Sequence, residues 1–253
     1  STATELLNGK VLLAGVVSCE VFDPSTNTSV AVPDMLYPRT KHAAVRLPNG
    51  DVHAFGGGSS INGTGLTLRT QHFDDSLGYW FPGPDMAVGR NSPSVVKLSN
   101  GHFLIVGGTT LSGQCEIFDP MGDSIYPGPL LPNARNLQNA VLVANDKVLV
   151  AQRDNAPMTG IISLMDLNTA QVTPIRIQDV GPQLVWVDSA NVATGYKGSQ
   201  SIQLIDWKSG LQPNARWQNL WKVNRTEIDQ FQADFLANAV DFSQYPTIET
   251  WPA

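Results

Sequence analysis

Apolar positions along this chain come in short alternating runs broken by turn-forming residues, and the whole run-turn-run unit recurs. Four segments share it: Thr2 to Val11, His42 to Val52, Ser94 to His102 and Ala140 to Val148. Each predicts strand, turn, strand, with Asn8-Gly9, Asn49-Gly50, Asn100-Gly101 or Asn145-Asp146 between the runs. Asn-Gly and Asn-Asp suit a two-residue type I′ turn, whose two central residues need φ > 0 and so favour Gly, Asn and Asp. A fifth copy joins Leu184-Val185-Trp186-Val187 to Asn191-Val192-Ala193-Thr194-Gly195 through Asp188-Ser189-Ala190.

A third strand ending in Asp follows each hairpin: Cys19-Glu20-Val21-Phe22-Asp23, Gln71-His72-Phe73-Asp74, Cys115-Glu116-Ile117-Phe118-Asp119, Ile162-Ser163-Leu164-Met165-Asp166 and Ile202-Gln203-Leu204-Ile205-Asp206. A fourth strand is predicted at Ser29–Val32, Gly78–Phe81 and Ser124–Tyr126. The terminal aspartates stand 51, 45, 47 and 40 residues apart. Four strands per period of this length are the sequence form of a propeller blade, a sheet that buries its faces only against its neighbours. The expectation is an all-β fold of four-stranded antiparallel blades in one domain, residues 1–253, with repeats at about 1–35, 36–87, 88–132, 133–176, 177–217 and a degenerate 218–253.

The residues also resemble the kelch family. An apolar strand ends in Gly-Gly at Val52–Gly57 and at Leu104–Gly108. A Glu-aliphatic-aromatic-Asp-Pro strand appears at Glu20–Pro24 and Glu116–Pro120, and an aromatic such as Trp80 follows about six positions after the aspartate. The pair is replaced by Gly15-Val16 in the first unit and Ala151-Gln152 in the fourth, so units two and three carry most of the resemblance. It implies a kelch-type β-propeller related to the propeller part of galactose-oxidase-like proteins. Six blades are favoured, because Pro213-Asn214-Ala215-Arg216 echoes Pro132-Asn133-Ala134-Arg135 ahead of a further strand around Leu220–Val223. The alternative is five blades plus a C-terminal helix, since Thr226-Glu227-Ile228-Asp229 reads as an N-cap leading into Ile228, Phe231, Phe235 and Leu236 at helical spacing.

Composition narrows the function classes. A formal net charge of -6 and a pI near 5.1, without a Lys/Arg cluster, argue against nucleic acid as a partner. No apolar run reaches the roughly 18 residues that span a bilayer, so no membrane insertion is expected, and the opening Ser1–Glu5 does not read as a signal peptide. Three N-glycosylation sequons begin at Asn27, Asn62 and Asn224 and tilt slightly toward secretion. Cys19 and Cys115 hold the same place in units one and three, too far apart in such a fold for a disulfide, and are expected as free buried thiols.

The chemistry-bearing residues mostly follow the repeat. Asp23, Asp74, Asp119, Asp166 and Asp206 are expected to close turns by accepting backbone N–H bonds. His42, His53, His72 and His102 have no metal-ligand spacing, although His42 and His53 face each other across one predicted hairpin. A copper radical oxidase of the galactose-oxidase type would need a further domain for part of its metal site. No nucleophile and base set stands out, and no metal or cofactor is expected.

Arg39, Arg90, Arg135, Arg176 and Arg216 each precede an inner strand, 51, 45, 41 and 40 residues apart. The repeat puts them at like radius on one face, where the kelch resemblance implies loops and arginines around a central channel that hold acidic peptides in some members. Guanidinium groups there would grip carboxylates bidentately; otherwise each salt-bridges to a neighbouring blade. The longest polar insertion, Gly56 to Thr67, opens in unit two. The resulting expectation is a non-catalytic binding propeller for a protein or acidic peptide. The alternatives are a lectin using Trp80, Tyr126 and Trp186, or a metal-dependent kelch-type enzyme.

Overall fold

The computed structural model describes residues 1–15, 18–58, 65–108, 113–131, 137–153, 159–178, 183–186, 191–195 and 202–206. Every regular element among them is a β-strand. The first sheet holds β1 (Thr2–Glu5), β2 (Val11–Ala14), β3 (Cys19–Asp23) and β4 (Thr28–Val32), and the second holds β5 (Ala43–Arg46), β6 (Val52–Phe55), β7 (Gln71–Asp74) and β8 (Tyr79–Pro82). The third contains β9 (Ser94–Lys97), β10 (Phe103–Val106), β11 (Gln114–Asp119) and β12 (Ser124–Leu130). The fourth contains β13 (Leu137–Ala144), β14 (Lys147–Arg153), β15 (Thr159–Asp166) and β16 (Gln171–Gln178). The described part of the fifth is β17 (Gln183–Trp186), β18 (Asn191–Gly195) and β19 (Ile202–Asp206).

Each sheet is an antiparallel meander drawn from one repeat, with strands adjacent in sequence adjacent in space. The first strands of successive sheets lie side by side: β1 by β5, β5 by β9, β9 by β13 and β13 by β17. Blade-like sheets are thus arrayed in chain order. Residues 218–253, expected as a sixth blade or a helix, lie outside the described residues. Among the described residues no helix is long and apolar enough to cross a membrane.

The second strands of the second and third sheets, β6 and β10, are covered on both faces and buried at every position. Alternation sends their side chains to opposite neighbours. Val52 and Ala54 join Leu12, Cys19, Phe73 and Trp80 between the first and second sheets. Phe55 meets Phe103, Ile105 and Phe118 between the second and third. Leu104 and Val106 pack with Cys115, Val148, Val150 and Met165 between the third and fourth. Both cysteines are free and buried, in different cores. Burial raises both thiol pKa values, that of Cys115 to about 12.

The hairpin turns differ from the type I′ expectation in three cases of four. In the first three sheets a longer connection is closed by Leu6, Leu47 or Leu98 donating its N–H to the carbonyl of Lys10, Asp51 or His102. There only the glycine has positive φ: Gly9 at 79°, Gly50 at 102° and Gly101 at 88°. This is a type I turn followed by a left-handed glycine. The asparagine before each glycine accepts the N–H two residues on, at 3.0 Å for Asn8, 3.2 Å for Asn49 and 3.0 Å for Asn100. Among these four hairpins, the fourth alone turns on two positive-φ residues, Asn145 (41°) and Asp146 (60°).

Four repeat aspartates close turns as expected. Asp23, Asp74, Asp119 and Asp166 accept the N–H of Ser25, Ser76, Met121 and Asn168 at 2.9 to 3.0 Å. The Ser25 and Ser76 hydroxyls also donate, holding the Asp23 and Asp74 carboxyls below the usual carboxylate range. The turn after Asp206 lies outside the described residues. Outer strands carry Pro82, Pro127, Pro129 and Pro174, which lack the N–H that a further strand would need.

Candidate functional site

The arginines that lead into the inner strands meet the Gly-Gly ends of the second strands. Gly107 and Gly108 both take left-handed φ, 75° and 73°, as do Gly56 and Gly57, 65° and 101°. A Cβ on Gly56 would stand 2.7 Å from the Arg90 carbonyl, so the glycine lets one sheet's strand end abut the next sheet's arginine loop. Gly57 donates to that same carbonyl at 2.6 Å.

Arg90 is fully buried, and its charge is matched. Nε and Nη2 donate to Glu116 Oε2 at 2.9 and 2.8 Å, Nη1 to the Gly107 carbonyl at 2.7 Å, and Nη2 to the Gln114 carbonyl at 2.6 Å. Glu116 Oε1 accepts the Ala87 N–H at 2.6 Å. This ion pair lies within one sheet, whereas the sequence reading had the arginines pairing with a neighbouring blade. Every bond ties the loop before β9 to β10 or β11, and both charges are desolvated and satisfied together.

Arg39 is equally buried in the equivalent place of the second sheet, with a different environment. Its Nε donates to the Tyr37 carbonyl at 3.0 Å, and Nη1 donates to the carbonyls of Gly56 at 3.0 Å and Arg69 at 2.6 Å. Gln71, at the repeat position of Glu116, is neutral and bonds the Tyr37 backbone instead, accepting at 3.3 Å and donating at 3.1 Å. Nη2 of Arg39 is buried without a hydrogen-bond partner. Burial lowers the Arg39 pKa to about 10, and Tyr37 is the one ionisable neighbour that offsets it.

The surface above this arginine is cationic as well. Exposed Arg69 stacks its guanidinium 4.8 Å from the centre of the Tyr37 ring and donates to Tyr37 Oη at 2.9 Å. The Arg39 guanidinium lies 6.0 Å from the same ring centre. Exposed Lys41 stands two residues after Arg39 in the loop. The long insertion starts at the same corner: Gly58 and Thr40 exchange backbone bonds of 2.9 and 3.1 Å, and Thr67 donates to Gly57 at 3.1 Å.

The remaining predicted arginines do not join a described ring. Arg176 lies inside β16, opposite Ile161, and not in a loop ahead of an inner strand, because β16 continues to Gln178. Arg135 and Arg216 lie outside the described residues. Spacing alone singled out Arg39 and Arg90. It missed Tyr37, Arg69 and Gln71, although the Glu-to-Gln exchange at one repeat position was visible in the sequence.

His42 and His53 do not face each other across the hairpin, where His53 is opposite Val45; His53 instead pairs with His72 across β6 and β7, ring centroids 5.9 Å apart. His42 Nε2 meets Thr2 Oγ1 at 2.9 Å across the first and second sheets. His53 Nε2 meets Thr70 Oγ1 at 2.9 Å, and its ring stacks on Phe55 with centroids 4.5 Å apart. The single Thr70 hydroxyl proton goes to the Pro84 carbonyl at 2.8 Å, so His53 is the donor, neutral and protonated on Nε2. Burial lowers its pKa to about 3 and that of His42 to about 4. Among the described residues no group of three His, Cys, Asp or Glu side chains is placed to hold a metal ion. Trp80 is buried in a core, whereas Tyr126 is exposed with its Oη bonded to His102 at 2.8 Å, so these two aromatics do not share one environment as a repeated sugar subsite would need. A scan against protein-family models finds none that matches this chain, and no curated protein matches it.

Proposed function

We propose that this chain is a six-bladed kelch-type β-propeller that binds a protein or acidic peptide ligand on its loop face and does no chemistry of its own. The architecture is supported by four-stranded meanders arrayed in chain order with their first strands side by side. The observation that carries the binding reading is a local excess of cations. Arg39 and Arg69 both lie against Tyr37 at the corner where the longest polar insertion opens, and exposed Lys41 belongs to the same loop, on a chain of net charge -6. The equivalent corner of the third sheet balances Arg90 with Glu116.

The test is a panel of immobilised acidic, neutral and basic peptides probed with the purified protein at low and high salt. Binding confined to the acidic peptides and weakened by salt is the expected result. Equal retention on neutral and basic peptides, or none on any, would overturn the reading.

A further inference from the structure

We infer that Tyr37, Arg39 and Arg69 form a carboxylate-binding point in which buried Arg39 supplies the field and exposed Arg69 supplies the contact. This rests on the binding reading above and names the place and the ligand chemistry. The two arginine corners are an internal control. Each holds a fully buried guanidinium tied to the carbonyl of the first glycine of its Gly-Gly pair, at 3.0 Å in the second sheet and 2.7 Å in the third. One has a buried carboxylate 2.8 Å away; the other has Gln71 and an unpartnered Nη2.

A buried charge without a counter-charge is costly, and an arginine does not shed its proton to escape the cost. What such a corner accepts is negative charge from outside the chain's own core. Arg69 is oriented to receive it: its guanidinium is spread over the Tyr37 ring and one nitrogen is held by Tyr37 Oη, so the plane is fixed while its edge stays in solvent. A fixed guanidinium edge matches the two oxygens of a carboxylate. An anion there need not touch Arg39, since a guanidinium in low dielectric acts through several ångströms. Lys41 adds charge at the rim of the same loop.

Two carboxylate sources share this chemistry: an Asp or Glu side chain on a partner, and a free dicarboxylate. Calorimetric titration of the intact protein with a Glu-Gly repeat peptide and with succinate separates them. Binding of the peptide alone marks a partner-borne side chain, and binding of succinate as well marks a general carboxylate point; both support the inference. Gln71→Glu copies the Glu116 arrangement and cancels the Arg39 charge from inside, giving up the Nε2 bond to the Tyr37 carbonyl. It is expected to weaken binding by about tenfold while leaving the melting temperature level or higher. Arg69→Ala, a solvent-exposed change that keeps the fold, removes the contact and weakens binding at least as much, and Arg69→Lys restores part of it.

A peptide that binds the wild type and both Gln71→Glu and Arg69→Ala with equal affinity overturns this site and leaves the wider binding reading standing. If neither the peptide nor succinate binds the wild type, both fall.

Discussion

The second and third sheets are two solutions to one joint. In each, an arginine dives from the loop ahead of the first strand to fasten the glycine end of the second strand and the start of the third. The third sheet closes the joint electrically with Glu116. The second replaces that carboxylate with Gln71, and replaces Leu104 and Cys115 by His53 and Thr70 at the corresponding strand positions. One joint is matched and inert. Its neighbour is polar, uncompensated and sensitive to protons, with the same backbone around it. In a repeat fold, then, departures between equivalent positions single out candidate sites that the repeated residues do not.

The sharpest way to break the comparison is to unmatch the matched joint. Glu116→Ala strands the Arg90 guanidinium in the core, and the expected loss of stability is about 3–5 kcal/mol. Gln71→Ala removes two neutral hydrogen bonds to Tyr37 and should cost only about 1–2 kcal/mol, since Arg39 is already without a carboxylate. Urea unfolding of the two variants at neutral pH checks both. Equal losses would mean that the joints are energetically alike despite their different charges.

Acid sharpens the comparison next. The folded-state pKa of His53, about 3, lies below the ordinary histidine value of 6.5. The folded protein therefore binds fewer protons than the unfolded chain. Stability from the neutral ring is complete above about pH 6.5 and is lost as pH falls toward 3, about 2 kcal/mol of it by pH 5. His53→Leu copies the third sheet, where Leu104 occupies this place. Its stability relative to wild type should rise by about 2 kcal/mol between pH 7 and pH 5. Parallel pH profiles would show that the ring is protonated in the fold at little cost. His42, at about 4, adds its own loss over the narrower span from 6.5 and is unaffected by the substitution.

Much of this architecture was legible in the sequence, because strand alternation, terminal aspartates and Gly-Gly pairs each report a local backbone requirement. The turn type was not. Asn-Gly serves both a type I′ turn and a type I turn with a left-handed glycine, and the deciding residues stand before the dipeptide. Pro48 needs φ near -65°, which a type I turn supplies and a type I′ turn does not. The candidate site was half legible. The spacing that led to Arg39 and Arg90 treats them as equals, whereas their difference depends on residues 71 and 116, brought to them only by folding. Arg69 stands at the repeat position of Gln114, where the residue type does not recur, so periodicity was blind to it. Arg176 was misplaced because it stands 10 residues after its repeat aspartate, inside β16, whereas Arg39 and Arg90 stand 16 after theirs.

The smallest expected difference concerns the hairpin glycines of the same two sheets. Gly50 and Gly101 have nearly the same left-handed φ, 102° and 88°, so replacing either with alanine carries the same backbone penalty, about 1 kcal/mol. Their surroundings differ. A Cβ at Gly101 meets nothing within 4 Å, while one at Gly50 would stand 2.6 Å from Leu7 Cδ1 of the first sheet. Leu7 is exposed and its side chain can swing away, so the contact should add only a few tenths of a kcal/mol. Thermal melts of Gly50→Ala, Gly101→Ala and the Leu7→Ala, Gly50→Ala double variant separate the terms. If the double variant regains nothing over Gly50→Ala beyond the cost of Leu7→Ala itself, the backbone accounts for the whole penalty and the two sheets are equivalent at this turn.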